Sequence, residues 1–190
     1  AGSGGVPIDN APSPPWTGGP EPPLPPVLQG WNYERPQGAD HYLDLGEMLI
    51  RNVPTDIRSR FGGEGQVTNG NSIFVFEVEG LCVGHLGHLH HVPTDAQFAA
   101  LGRLDVVMAA VDGGMTLPLP DIITTVKRLK SSIVIPMHWF GRGTLDLFTV
   151  GMADEFAIER PGTNSLEVSL RTLPDRPTVI VLEPQLLIEE

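Results

Sequence analysis

The sequence predicts an α/β protein, and three observations carry that prediction. Leu104-Asp-Val-Val-Met-Ala-Ala110 and Ile133-Val-Ile-Pro-Met137 are nearly continuous apolar runs, as expected of strands buried on both faces. Between them Ile122, Ile123, Val126 and Leu129 recur at helical spacing. Strand, helix, strand, helix, strand then repeats toward the C-terminus, which favours a layered sheet with helices packed against it.

The elements follow in order. Ten of the 19 prolines fall in the first 36 residues, concentrated in Pro12-Ser-Pro-Pro15 and Pro20-Glu-Pro-Pro-Leu-Pro-Pro26. Proline fixes φ and removes a backbone donor, so residues 1–40 are expected to form an extended arm, with residues 41–190 as the globular part. A disordered leader is the plain alternative. Trp16, Leu24, Val27, Leu28 and Trp31 suggest an arm lying on a surface, its own or a partner's.

Glu47 to Val53 reads as a strand, followed by a polar, glycine-rich loop from Arg58 to Asn71. Ser72–Val78 and Leu81–Val83 flank Glu79-Gly80 and predict a hairpin. Thr94 is placed to cap a helix over Asp95–Leu101, with Gly102 as its stop. Pro120 and Asp121 open the next helix, which ends among Lys127, Arg128 and Lys130, cations suited to a C-terminal dipole. A helix around Thr144–Glu155 and strands near Leu166–Leu170 and Thr178–Leu182 complete the reading.

Composition narrows the function. Twelve basic against 23 acidic residues give a net charge of −11, which disfavours nucleic acid and anionic membranes as partners. No apolar run reaches the ~20 residues of a membrane span, and a soluble protein is expected. The single cysteine, Cys82, excludes an internal disulfide framework and reads as a small buried hydrophobe. The chain starts Ala-Gly-Ser rather than with Met, and processing of the N-terminus is one expectation from that.

Five of six histidines fall in two places. His85, His88, His90 and His91 share one heptapeptide directly after a strand, and His138 directly follows another. Sites in α/β sheets collect at the carboxyl ends of strands, and imidazole is a common ligand of zinc, copper, iron and nickel. The two groups are therefore expected to converge on a metal, although spacing does not say which of the four heptapeptide histidines is a ligand. Asp112, in the loop with Gly113 and Gly114, is a candidate to orient a ligating histidine, or else a solvated carboxylate. Arg58 and Arg60, in Arg58-Ser-Arg60-Phe-Gly-Gly, and Arg142 are candidates for an anionic group of a substrate. His41 reads as a hydrogen-bonded surface residue, and Trp139 and Phe140 as pocket walls or core.

Ile50-Arg-Asn-Val-Pro-Thr55, Asn71-Ser-Ile-Phe-Val-Phe-Glu-Val-Glu-Gly-Leu81, His85-Leu-Gly-His-Leu-His-His91, Leu104-Asp-Val-Val107, Asp112-Gly-Gly114 and Ile135-Pro-Met-His138 form an ordered set. Over residues 48–150 this set resembles the second half of a metallo-β-lactamase-fold hydrolase, of the L-ascorbate-6-phosphate lactonase-like branch. The resemblance implies an αβ/βα sandwich, here its second half plus the proline-rich arm. It also implies one or two metal ions whose bound hydroxide attacks an ester, lactone, amide or phosphodiester. His138 matches the family's last histidine ligand. His88 stands where an aspartate usually bridges two metals. A neutral imidazole bridges poorly, so one ion, zinc or a similar metal, is expected. His85 and His91 are then further ligands, outer groups or proton carriers. Asp56 stands where another family histidine is usual, which leaves it as an outer or substrate-facing group. The H-x-H-x-D-H motif, with the half-domain that bears it, is absent from this sequence. Three expectations follow: a second polypeptide or cleavage product completes the fold, the sequence is a piece of a longer one, or the chain is a non-catalytic, degenerate subunit that packs on a partner in a larger assembly.

Overall fold

A computed structural model describes residues 28–31, 38–58 and 66–185. Most of the proline-rich arm, with Trp16, Leu24 and Val27, lies outside the described residues. The elements are β1 (Tyr42–Asp44), β2 (Met48–Arg58), β3 (Gln66–Val78), β4 (Leu81–His85), α1 (Asp95–Leu101), β5 (Val106–Ala110), α2 (Leu119–Leu129), β6 (Ile133–Met137), α3 (Arg142–Met152), β7 (Ala157–Glu159) and β8 (Thr178–Ile180).

The strands form one sheet in the order β1-β2-β3-β4-β5-β6-β8-β7. β1 to β4 make an antiparallel meander, while β4, β5, β6 and β8 run parallel. The hairpin turns where expected, with Glu79 at φ 48° and Gly80 at φ 82°, the left-handed pair that a tight two-residue turn requires. Helix α1 has the foreseen bounds because Thr94 and Gln97 close a reciprocal capping box.

Period-two alternation divides the side chains between two faces. Val53, Ile73, Val75, Val107, Val134 and Val179 join Leu101 of α1, Ile122 and Val126 of α2 and Leu145, Phe148 and Met152 of α3 in the main core. All three helices therefore cover one face. On the other face Ile50 and Phe74 meet Leu28, while Val106, Ile133 and Ile180 meet Val168, Leu173 and Leu182 of irregular chain. One helix layer thus packs on one face of a single mixed sheet, an α/β architecture as expected.

Three boundaries differ from the sequence reading. Within the polar stretch expected as a loop from Arg58 to Asn71, the described residues Arg58 and 66–71 are strand: Gln66 and Val67 pair with Arg58 and Ile57 across a register shift between Thr55 and Ile57, while residues 59–65, Arg60 included, lie outside the described residues. Gly70 and the polar residues of this part of β3 are accommodated because β4 pairs with β3 only from Phe74 onward. Residues 166–170 form no strand. Val168 packs on the sheet face while Leu166 and Leu170 are exposed, so their alternation reflects contact with the face and not pairing beside it. The last helix is Arg142–Met152 instead of 144–155. β1 and β7, three residues each, have no counterpart in the sequence reading.

Candidate active site

Parallel β4, β5 and β6 are neighbours, so their carboxyl ends open on one edge of the sheet. Ala110 pairs with Met137, and the Val111 N–H donates to the Met137 carbonyl at 3.0 Å. The next residues, Asp112 and His138, are thereby set side by side. His138 takes φ 55°, a left-handed conformation uncommon outside glycine and of a kind that gathers at functional sites.

Asp112 is almost fully buried and saturated with donors. Its Oδ1 accepts the amides of Gly114, Met115 and Thr116 at 2.9, 2.6 and 3.0 Å. Its Oδ2 accepts the Thr116 hydroxyl at 2.7 Å and faces His138 Nδ1 at 2.8 Å. Burial by itself would push this carboxyl up. The Gly114 amide, the His138 ring and the Thr116 amide and hydroxyl outweigh it and hold the carboxyl well below the usual range. An ionised Asp112 makes His138 carry its proton on Nδ1, leaving the Nε2 lone pair facing outward.

That lone pair meets His88. The two Nε2 atoms stand 3.2 Å apart, with ring centroids 4.6 Å apart at 68°. His88 is held by its main chain: its N–H donates at 2.9 Å to Oδ1 of Asn71, a buried β3 residue whose Nδ2 donates to Thr55 Oγ1 (2.8 Å) and to the Leu86 carbonyl (3.3 Å). Gly87 sits at φ 61°, and a Cβ there would collide with the Asn71 amide, so glycine is required. Phe140, exposed, lies edge-on to His138 with centroids 4.7 Å apart, while Trp139 packs on the main core.

The remaining predicted residues are placed differently. His85 Nδ1 accepts the Gly87 N–H at 3.1 Å. An Nδ1 lone pair used this way puts the proton of a neutral ring on Nε2, the reverse of His138. His91 Nε2 is buried with no hydrogen-bond partner among the described residues. Asp56 accepts from the Asn69 N–H at 2.8 Å and from the Gln66 side chain, which ties β2 to β3 at the register shift. The Arg58 guanidinium donates to the carbonyls of Gly114, Met115 and Thr116 at 3.1, 3.2 and 2.8 Å, clipping the Asp112 loop to β2. His41 is hydrogen-bonded to the Gln29 carbonyl at 2.7 Å and stacked on Phe74. Asn71 and the clip formed by Arg58 were not foreseen. The hydrogen bonds involved span 15 to 58 residues, which local sequence patterns do not encode.

The donor set can be tested against a metal. Two nitrogens at ~2.0–2.1 Å from one tetrahedral zinc stand about 3.3 Å apart, so 3.2 Å fits a shared ion. The same separation also suits an N–H···N hydrogen bond. Among the described residues no group of three or more His, Cys, Asp or Glu side chains is disposed to hold an ion. The expected convergence of both histidine groups thus reduces to the pair His88 and His138. A catalytic zinc takes three protein ligands, so this chain fits an ion only in part. No helix among the described residues is long and apolar enough to cross a membrane.

Comparison with known proteins bears on the fold and on this edge. The family described as the beta-lactamase superfamily domain matches residues 15–138, which reaches into the proline-rich head as well as the two histidine groups. A Thermotoga maritima protein assigned to the Zn-dependent hydrolases of the metallo-β-lactamase superfamily is 30% identical, over 77% of this chain and 70% of that one, with a TM-score of 0.58. A Parabacteroides distasonis protein assigned as a metal-dependent hydrolase is 13% identical, over 60% of this chain and 51% of that one, at a TM-score of 0.50, a likeness of fold alone. No curated protein sequence matches the chain.

Proposed function

Because the chain belongs to the metallo-β-lactamase superfamily, we propose that it is a metal-dependent hydrolase-like protein in which His88 and His138 hold one divalent ion, zinc by preference. When bound, such an ion acts as a Lewis acid and brings the pKa of water toward neutrality, chemistry suited to an ester, lactone or phosphodiester. The observation that carries this reading is the opposed Nε2 pair, one member of which is held in its ligand-ready tautomer by a buried, ionised Asp112.

The chain's own residues divide the work. Asp112 fixes the ring and proton of His138, and Asn71 with Gly87 fixes the loop that presents His88. Arg58 ties the Asp112 loop to the sheet edge. His85 and His91 are outer groups in this reading, since one Nδ1 is taken by an amide and the other ring's Nε2 is buried. The remaining coordination positions belong to a second polypeptide that covers the helix-free face of the sheet, where Phe76, Val83 and Ile135 are only half-buried. The lactonase-like branch is the finer assignment, supported by the His85–His91 and Ile135–His138 segments.

Elemental analysis tests the reading. About one transition-metal ion per chain or assembly is expected, lost in His88→Ala and in His138→Ala. A metal-free protein whose stability is unchanged by both substitutions would overturn it. That result would favour the second reading, a non-catalytic subunit, for which the absence of a three-ligand group among the described residues already speaks.

A further inference from the structure

His90 is the one member of the heptapeptide without a role so far, and its proton position is fixed by its surroundings. The Arg58 main-chain N–H donates to His90 Nδ1 at 3.0 Å, and the Arg58 Nε–H approaches the same atom at 3.5 Å. An amide N–H can only donate, so Nδ1 must present a lone pair, and the proton of the ring must lie on Nε2. A doubly protonated ring would set two N–H groups against each other across that contact. His90 Nε2 has no hydrogen-bond partner among the described residues and is not among the buried unpaired atoms. The ring lies 6.4 Å from that of His88, tilted by 31°.

We propose that His90 is a substrate-binding residue, a fixed Nε2–H donor on the rim of the His88–His138 site that receives an oxygen of a carboxylate, carbonyl or phosphoryl group. The assignment rests on reading the His88–His138 pair as the reaction centre. His90 itself is outside the ligand set, because the nitrogen facing away from Arg58 carries a proton and offers no lone pair. The two rings on either side of His88 in this contact series thus hold opposite tautomers: His138 has Nδ1–H and presents a lone pair at Nε2, while His90 has Nε2–H and donates there. The His138 lone pair is left for the ion, while the His90 N–H is the group suited to an electron-rich oxygen.

The test uses the whole chain in metal-free form, with acetate as the probe, and then zinc alone. Nitrogen-15 NMR should show His90 as the Nε2–H tautomer and His138 as the Nδ1–H tautomer. His90→Phe should weaken acetate binding about tenfold, the worth of one hydrogen bond to a charged group. His90→Gln, whose carbonyl can accept from Arg58 while its amide donates outward, should restore most of it. Zinc affinity should stay within about twofold of wild type in both variants. An Nδ1–H tautomer at His90 would overturn the proposal. So would equal acetate binding by wild type and His90→Phe, no acetate binding by wild type, or a tenfold loss of zinc affinity on removing His90. A wild-type chain that takes no zinc would sink the metal reading alone, since the tautomers and acetate binding are read without metal.

Discussion

Replacing Asp112 by Asn separates the charge of this residue from its shape. Three amides converge on Oδ1, so the Asn carbonyl must occupy that position and its NH2 must replace Oδ2. Thr116 can rotate its hydroxyl to accept from the new NH2. His138 has no such freedom: Nδ1–H would face N–H, so the ring must move its proton to Nε2 and lose the lone pair that meets His88. One charge-assisted hydrogen bond is worth about 1.5–3 kcal/mol, partly offset because a neutral amide is less costly to bury, so the net loss of stability should be about 1–2 kcal/mol. The effect on metal should be larger in proportion, a ~10–100-fold fall in zinc affinity as for other partners of ligating histidines. Competition with a chromophoric chelator measures the affinity, and urea unfolding followed by circular dichroism measures the stability. A folded Asp112→Asn protein with wild-type zinc affinity would refute the tautomer argument.

Three further predictions use neighbouring features. Asn71→Leu removes a buried amide and strands the His88 N–H and the Leu86 carbonyl, so unfolding in urea should show a loss of about 2–3 kcal/mol, with zinc affinity falling as the His88 loop loosens; a variant within 0.5 kcal/mol of wild type, roughly the scatter of surface substitutions, would remove Asn71 from the account. The pH dependence follows from the depressed Asp112 carboxyl. A folded value below the unfolded ~3.9 makes its stabilisation complete above about pH 4 and lost as pH falls through the folded value. The stability difference between wild type and Asp112→Asn should therefore be flat from about pH 5 upward and shrink in acid. His90, lowered by burial and then by Arg58, His88 and His91, has the opposite balance of charge but the same slope: the unfolded ring takes up its proton first, so wild type should lose stability relative to His90→Gln as pH drops below ~6.5. A flat difference there would contradict the enclosed, neutral imidazole.

The elements legible in the sequence are those whose cause is local. Thr94 and Gln97 lie three residues apart, and the helix they cap has the expected bounds. Ile133–Met137 is buried among neighbours on both sides of the sheet, and an unbroken apolar run reports that directly. β1 and β7 are too short to show alternation, and each exists because a longer neighbour supplies its ladder. Leu166–Leu170 shows why alternation alone misleads, because a segment laid over a sheet meets apolar side chains without sharing backbone hydrogen bonds. At the site, two strand-end positions were enough to bring His88 and His138 together. The proton positions of His85, His90 and His138 depend on amides and a carboxylate up to 32 residues distant, so no reading of spacing could separate the acceptor from the donors.

Beyond Arg51 the β2 strand has no β1 residue opposite it, and Pro54 stands in that bare stretch with its carbonyl accepting from the Gln97 side chain of α1 at 2.8 Å. The backbone nitrogen and oxygen of a strand residue point to the same side, so the missing N–H of Pro54 also faces outward. At this position an incoming strand would find one group already engaged and the other absent. That one proline and one engaged carbonyl make this part of β2 a poor template for an added strand.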